Sequence, residues 1–448
     1  MIGQDSPSVR NTTRQAATAK HPAPAEARRL LEPLKGEIVE LLRRLVATNS
    51  VAVPPDGHET PAQRVLYRFL RANRVDVEMY DTGFLERSRN PGVRRERHYA
   101  GRRNLIARLP GKGRGRSLLL TGHIDTVPSG LSPWKESPWS ATVRRGRVYG
   151  LGSYDMKGGL AANSAVMVAL KRSKIRLQGD LLCESVVDEE YGGGGGTLAG
   201  RLHGDIADAC VIPEPTNLSV YRASRGGYVF DLVAEAIESA DYFSREEVVS
   251  PAIPMGRLLG WVDSWRARRR RVRGGGGAYA EFPDPAPVQV LAAEANRFDP
   301  DVPLSVPLRA RLRLYFQFLP HENVTGVIRE VRRSLNRFCD RDAFFRTHRL
   351  EWRPLFDPPL LGHELAAEHP WTRCLVNSAR SVLGPKAVLT AAEYPCDAFI
   401  FQRRFGIPAL LFGPRGAGAH SPNEYVEISS VMKTAEVLLA AALEWCGR

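Results

Sequence analysis

Five short stretches hold histidine and carboxylate side chains in settings that suit cation binding or proton transfer. The first is Leu118-Leu119-Leu120-Thr121-Gly122-His123-Ile124-Asp125, an apolar run ending in a polar H-x-D. Strand ends in α/β sheets collect ligands because the buried strand fixes its polar tip. An imidazole can hold a metal through one nitrogen while a neighbouring carboxylate fixes the other. The second stretch, 150–159, carries Asp155 just before a helical pattern, where an isolated acid reads as a cap. The third is Asp188-Glu189-Glu190, after an apolar run and before Gly192-Gly193-Gly194-Gly195-Gly196. Three adjacent carboxylates repel one another, which favours convergence on cations over a bare acidic loop. The fourth holds Glu214 between Pro213 and Pro215, and the fifth places Arg415 and His420 in a Gly-rich stretch after the apolar run 408–412. Each alone has an ordinary structural reading. Together they form an N/O ligand set at four strand ends, suited to zinc, cobalt or manganese rather than iron–sulfur or copper.

The elements that must position these residues follow from periodicity. Residues 27–46 keep helical spacing of leucines, and 61–73, 156–171, 371–382 and 430–445 also read as helices. Apolar runs at 104–109, 117–121, 180–187, 209–212, 387–389 and 408–412 read as strands, so the texture is that of an α/β layered domain. Between them the order changes. Strands at 228–233, 288–292, 308–318 and 349–355 alternate with helices at 245–271 and 324–338. That β-α-β-β-α-β order predicts a ferredoxin-like α+β unit inserted into the larger domain. The expected division is a leader over 1–28, a catalytic domain over 29–222 and 358–448, and a lid over 223–357, with a glycine linker at 274–277.

Composition excludes several alternatives. The chain has 448 residues, 43% of them hydrophobic and 25% charged, which fits a folded protein with more than one core. The leader is rich in Ser, Thr, Ala, Pro and Gln, and is expected to be disordered. It lacks the apolar core of a secretory signal. No apolar run approaches the roughly 18 residues of a membrane span. Six scattered cysteines without a CxxC pair argue against a disulfide framework and for a reducing compartment, the cytoplasm. The run Gly111-Lys112-Gly113-Arg114-Gly115 is followed by a strand, not by the helix N-terminus that phosphate binding needs. The net charge of +14 sits mostly in two arginine-rich runs, 87–103 and 266–273. Neither has interleaved aromatics or a groove-binding motif, which argues against nucleic acid. They read as solvated segments, with an acidic substrate or small acidic carrier protein as the alternative partner.

Taken in order, the five motifs resemble those of the zinc-dependent family of aminoacylases, acetylornithine deacetylases, succinyl-diaminopimelate desuccinylases and glutamate carboxypeptidases, most of all its deacylase branch. Trp134, the 150–159 stretch, Cys396-Asp397-Ala398 and Pro320 followed by Glu322 add to the match, which spans nearly the whole chain after the leader. The resemblance implies two divalent ions, zinc first, with cobalt or manganese as alternatives. His123 and Glu214 would hold one, Glu190 and His420 the other, and Asp155 would bridge them. Asp125 would orient His123. Glu189 would act as general base in hydrolysing an N-acyl amino acid or small peptide-like amide. A homodimer through the lid is also common in such proteins.

The chain departs from that family in the lid. The histidine expected after the first lid strand, a donor to the oxyanion, is missing from 233–242, and no histidine occurs between His203 and His321. A frequent D-x-R is replaced by Tyr315-Phe316-Gln317, ahead of Pro320. Losing one oxyanion donor costs about 10²–10³ in rate. Three readings follow: Arg222, Arg225 or Tyr228 substitutes, the substrate differs, or hydrolysis has been lost from a metal-bearing protein. Those three residues and Arg415 are the expected substrate contacts, and His321 is expected at the surface.

Overall fold

The computed structural model describes residues 24–235, 250–271, 277–295, 309–355, 357–385 and 387–447. Among them the largest sheet has nine strands. Its central four, Ala409–Leu411, Cys210–Ile212, Leu118–Leu120 and Leu181–Ser185, run parallel side by side. Strands buried on both faces must be apolar at every position. Accordingly Leu118 and Leu120 enter the core on one face and Leu119 the core on the other. The first core is closed by helices Lys35–Ala47, Gly158–Ser173, Pro370–Leu383 and Ile428–Trp445. Antiparallel strands Arg103–Leu109 and Asp76–Asp81 extend one side, and Val220–Ser224 and His363–Glu364 the other. The strands expected at 104–109 and 117–121 are neighbours in sequence but do not pair. Leu181–Ser185 lies between them, antiparallel to one and parallel to the other.

Two local expectations need correction. The helix predicted over 27–46 is broken into Pro24–Leu31, a 3-10 turn Glu32–Leu34 and Lys35–Ala47, because Pro33 has no N–H to donate to a continuing helix. Helical structure also begins within the expected leader. Ala27, Leu31 and Leu34 are buried in the main core, which offsets the cost of ordering them; residues 1–23 lie outside the described residues.

The second sheet, the lid, has four antiparallel strands in the order Val288–Ala295, Arg309–Phe318, Gly226–Glu235, Glu351–Pro354. Helices Ala252–Arg269 and Val324–Cys339 cover one face. This is the β-α-β-β-α-β order read from the sequence. Alternation along Arg309–Phe318 sends Leu312, Leu314, Phe316 and Phe318 to those helices. Arg311, Arg313, Tyr315 and Gln317 take the opposite face. Val220–Ser224 belongs to the main sheet, so the lid begins at Gly226. Most of the predicted glycine linker, and residues 236–242 of the stretch 233–242 where the lid histidine was sought, lie outside the described residues.

The arginine runs are not free cationic surfaces. Arg94, Arg97 and Arg102 are buried; Arg97 and Arg102 pair with Asp188, and Arg102 also with Glu59. In the second run Arg266 pairs with Asp263, Arg268 with Glu330 and Arg269 with Glu322. Much of the charge that invited an acidic partner is therefore neutralised within the chain. No helix among the described residues is long and apolar enough to cross a membrane.

Candidate metal centre

The loops leaving the C-terminal ends of the four parallel strands converge on one spot. His123 follows Leu118–Leu120, Glu189 and Glu190 follow Leu181–Ser185, Glu214 follows Cys210–Ile212, and His420 follows Ala409–Leu411. Asp155 arrives from the turn just before helix Gly158–Ser173. His123, Asp155 and Glu214 offer ligand atoms that all lie within 4.8 Å of one another, and so do Asp155, Glu190 and His420. Asp155 belongs to both groups, one oxygen to each. Its Oδ1 is 3.2 Å from His123 Nε2, and its Oδ2 is 3.3 Å from His420 Nε2. His123 Nε2 is 3.9 Å from Glu214 Oε1, and His420 Nε2 is 3.0 Å from Glu190 Oε2.

The electrostatics are those of a carboxylate cluster short of positive charge. Burial, reinforced by neighbouring acids, lifts Glu189 and Glu214 well above the usual carboxylate range. The Glu190 charge pushes His420 up to about 12. Burial acts against Asp155 ionising, but hydrogen bonds with both histidines outweigh it and hold its pKa low. Two imidazoles and three carboxylates in two adjoining groups fit a pair of divalent cations, whose charge would offset this crowding.

Support comes from residues behind the cluster. His123 Nδ1 faces the Asp125 backbone carbonyl at 3.0 Å, closer than the Asp125 carboxylate at 3.6 Å. That carboxylate instead accepts the backbone N–H groups of Glu189, at 3.3 Å, and Glu190, at 3.1 Å. Asp125 thus ties the His123 loop to the acidic loop, and burial pushes its carboxyl up to about 7. Glu189 Oε1 accepts the N–H of Asp397 at 3.1 Å, and its Oε2 lies 3.9 Å from His123 Nε2. The third acid of the triplet behaves differently. Asp188 turns away to Arg97 and Arg102, at a left-handed φ of 66°. The glycine run permits that fold-back: a Cβ on Gly196 would lie 1.9 Å from the Val187 carbonyl oxygen.

Sequence reasoning missed Glu424. Its buried carboxylate accepts the backbone N–H groups of Gly152, Tyr154 and Asp155 at 2.8, 2.7 and 3.0 Å, so it shapes the turn that presents Asp155. Burial pushes it up to about 8. Its place four residues after His420 was the available signal, but a carboxylate bound to distant backbone leaves no mark in the sequence.

Above the cluster lies a cavity of about 470 Å³. Asp155, Glu189, Glu190, Glu214 and His420 form its floor, and Val229, Gln289, Leu291, Tyr315 and Gln317 its lid wall. The four expected substrate contacts are not among its described lining residues. Arg222 is paired with Glu364 at 2.7 Å. Tyr228, 2% exposed, packs in the lid core on Phe230 and Trp352, because alternation gives the cavity face to Val229. Arg225 is buried and bonded to Gln317. Arg415 is exposed, with Nε 3.4 Å from the Asn217 carbonyl oxygen. His321 is at the surface as expected.

The profile of peptidase family M20/M25/M40 matches residues 119–444, which include all five cluster residues. The chain belongs to that family. It is a metal-dependent hydrolase of linear amide bonds. Among its relatives, an N-formyl-4-amino-5-aminomethyl-2-methylpyrimidine deformylase of Halalkalibacterium halodurans is 26% identical over 429 residues, covering 92% of this chain and 95% of that protein. An acetylornithine deacetylase of Salmonella typhimurium is 26% identical over 420 residues, covering 91% and 97%. In fold the chain resembles a di-peptidase from Saccharomyces cerevisiae, with TM-score 0.75, 15% identity and coverage of 94% and 98%. Human carnosine dipeptidase 1 gives TM-score 0.71, 16% identity and coverage of 94% and 99%.

Proposed function

We propose that this family member removes an acyl group from an amine nitrogen, using two divalent ions held across the Asp155 carboxylate. His123 and Glu214 would hold one ion and Glu190 and His420 the other, with zinc favoured by the imidazole and carboxylate donors. The observation that carries this reading is the division of Asp155, one oxygen facing each histidine. Bound there, two such ions would supply the positive charge that polarises a carbonyl oxygen and brings a water's pKa to about 7. Glu189 then takes the proton of the attacking water and delivers it to the departing amine nitrogen. The Asp397 N–H, donated to its Oε1, fixes its direction. Two relatives are named for removal of formyl and acetyl groups, which supports an N-acyl substrate.

Metal analysis should find about two divalent ions per chain. A screen of formyl, acetyl and dipeptide substrates should then show turnover that Glu189→Gln abolishes while both ions stay bound. Full activity in that variant contradicts the role given to Glu189. No turnover with both ions in place favours the second reading, a metal-bearing member that has lost hydrolysis along with its lid histidine.

A further inference from the structure

This inference rests on the amide-hydrolase reading of the cavity and names its substrate class. Strand alternation turns Tyr315 and Gln317 of Arg309–Phe318 toward the cavity. A guanidinium can only donate, so the Gln317 amide oxygen must be the atom that faces Arg225, with Nη1 to Oε1 at 2.8 Å. The Gln317 amide N–H groups therefore point away from Arg225, on the strand face that Gln317 shares with Tyr315. Tyr315 lines the same cavity, and burial keeps its phenol protonated and able to donate a hydrogen bond.

The cations nearby are engaged elsewhere. Arg225 is 4% exposed and donates also to the carbonyl oxygens of Glu393 and Asp284, at 3.2 and 2.9 Å. Further along the same lid face, Arg311 and Arg313 both pair with Asp231. Among the described residues that line the cavity there is no arginine or lysine. On the floor, two divalent ions would balance the four carboxylates of Asp155, Glu189, Glu190 and Glu214 without surplus. Among the described lining residues a substrate carboxylate would find no arginine or lysine to offset the water it loses, which is costly.

We propose that the lid wall selects an uncharged leaving amine, hydrogen-bonded by Tyr315 and Gln317 and packed against Val229 and Leu291, and that it disfavours N-acyl amino acids with a free α-carboxylate. Arg225 is a positioning residue that sets the direction of the Gln317 amide.

The test uses zinc-loaded full-length Glu189→Gln protein, with binding measured by calorimetry. The probes are N-formyl-2-phenylethylamine and N-formylphenylalanine, which differ by the α-carboxylate alone. The uncharged probe should bind at least about 10-fold more tightly. Adding Gln317→Leu, or Tyr315→Phe as a second variant that keeps the packing, should weaken the uncharged probe about 2- to 10-fold. Equal or tighter binding of N-formylphenylalanine, binding of neither probe, or no change in either variant overturns the proposal. The wild-type protein separates the two readings. Faster cleavage of N-formylphenylalanine sinks this inference and keeps the hydrolase. Preferential binding of the uncharged probe without cleavage sinks the hydrolase and keeps this inference.

Discussion

The floor and the lid wall of one cavity are built on opposite principles. On the floor, carboxylates crowd together so that burial and neighbouring acids raise Glu189 and Glu214, while Asp155 is held between two histidines. On the lid, nearby charges among the described residues are engaged within the protein: Arg311 and Arg313 share Asp231, Arg269 pairs with Glu322, and Arg225 donates to Gln317 and two backbone carbonyls. The neutral groups Tyr315 and Gln317 are what line the cavity there. An unbalanced cluster is suited to gaining a cation and doing chemistry. A balanced wall is suited to recognition by shape and hydrogen bonds.

Breaking the floor should have the largest effects. Glu189→Gln removes the proton carrier and should lower kcat by about 10²–10⁴ with both ions retained, as steady-state rates and metal analysis would show. Next comes Glu424→Gln, which loosens the turn presenting Asp155. Outer partners of this kind typically contribute 10- to 100-fold to metal affinity, so competition with a chromophoric chelator should show a loss of about that size. On the lid, Arg225→Met should raise KM for an uncharged amide about 2- to 10-fold while leaving kcat nearly unchanged. A fall in kcat as large as that of Glu189→Gln would place Arg225 in the chemistry and erase the contrast between floor and wall.

The smallest effect concerns acid. Burial acts to raise Asp231, but hydrogen bonds from Arg313 and Arg311 outweigh it and hold the folded carboxyl below its ordinary value. The folded state then binds this proton less readily than the unfolded chain does. Its stabilising contribution is complete above about pH 4 and fades as pH falls through the lowered folded value. The melting temperature of wild type should therefore decline more steeply with acid than that of Asp231→Asn, measured over about pH 5 to 2.5.

The same contrast explains what could be read in advance. His123, Glu190 and Glu214 each follow an apolar strand within five residues, and His420 sits in the Gly-rich loop after another, so local order was enough to single them out. The lid's strand and helix order was legible from periodicity alone. Its cavity face was not, because alternation makes a one-residue difference decisive: Val229 lines the cavity while Tyr228 is buried in the lid core. Arg222 and Arg225 are not among the described lining residues for another reason. Their partners, Glu364 and Gln317, lie far along the chain.

Residue type and chain order by themselves determined the candidate histidines and carboxylates, the α/β texture and the β-α-β-β-α-β insertion, since hydrophobic period and short motifs are local properties. Tertiary structure alone decided that Asp188 leaves the cluster, that Glu424 shapes the Asp155 turn, and that buried arginines are matched rather than offered to a partner. Charge pairing and burial depend on distance in space, and residues such as Arg97 and Asp188 become neighbours only when the chain folds.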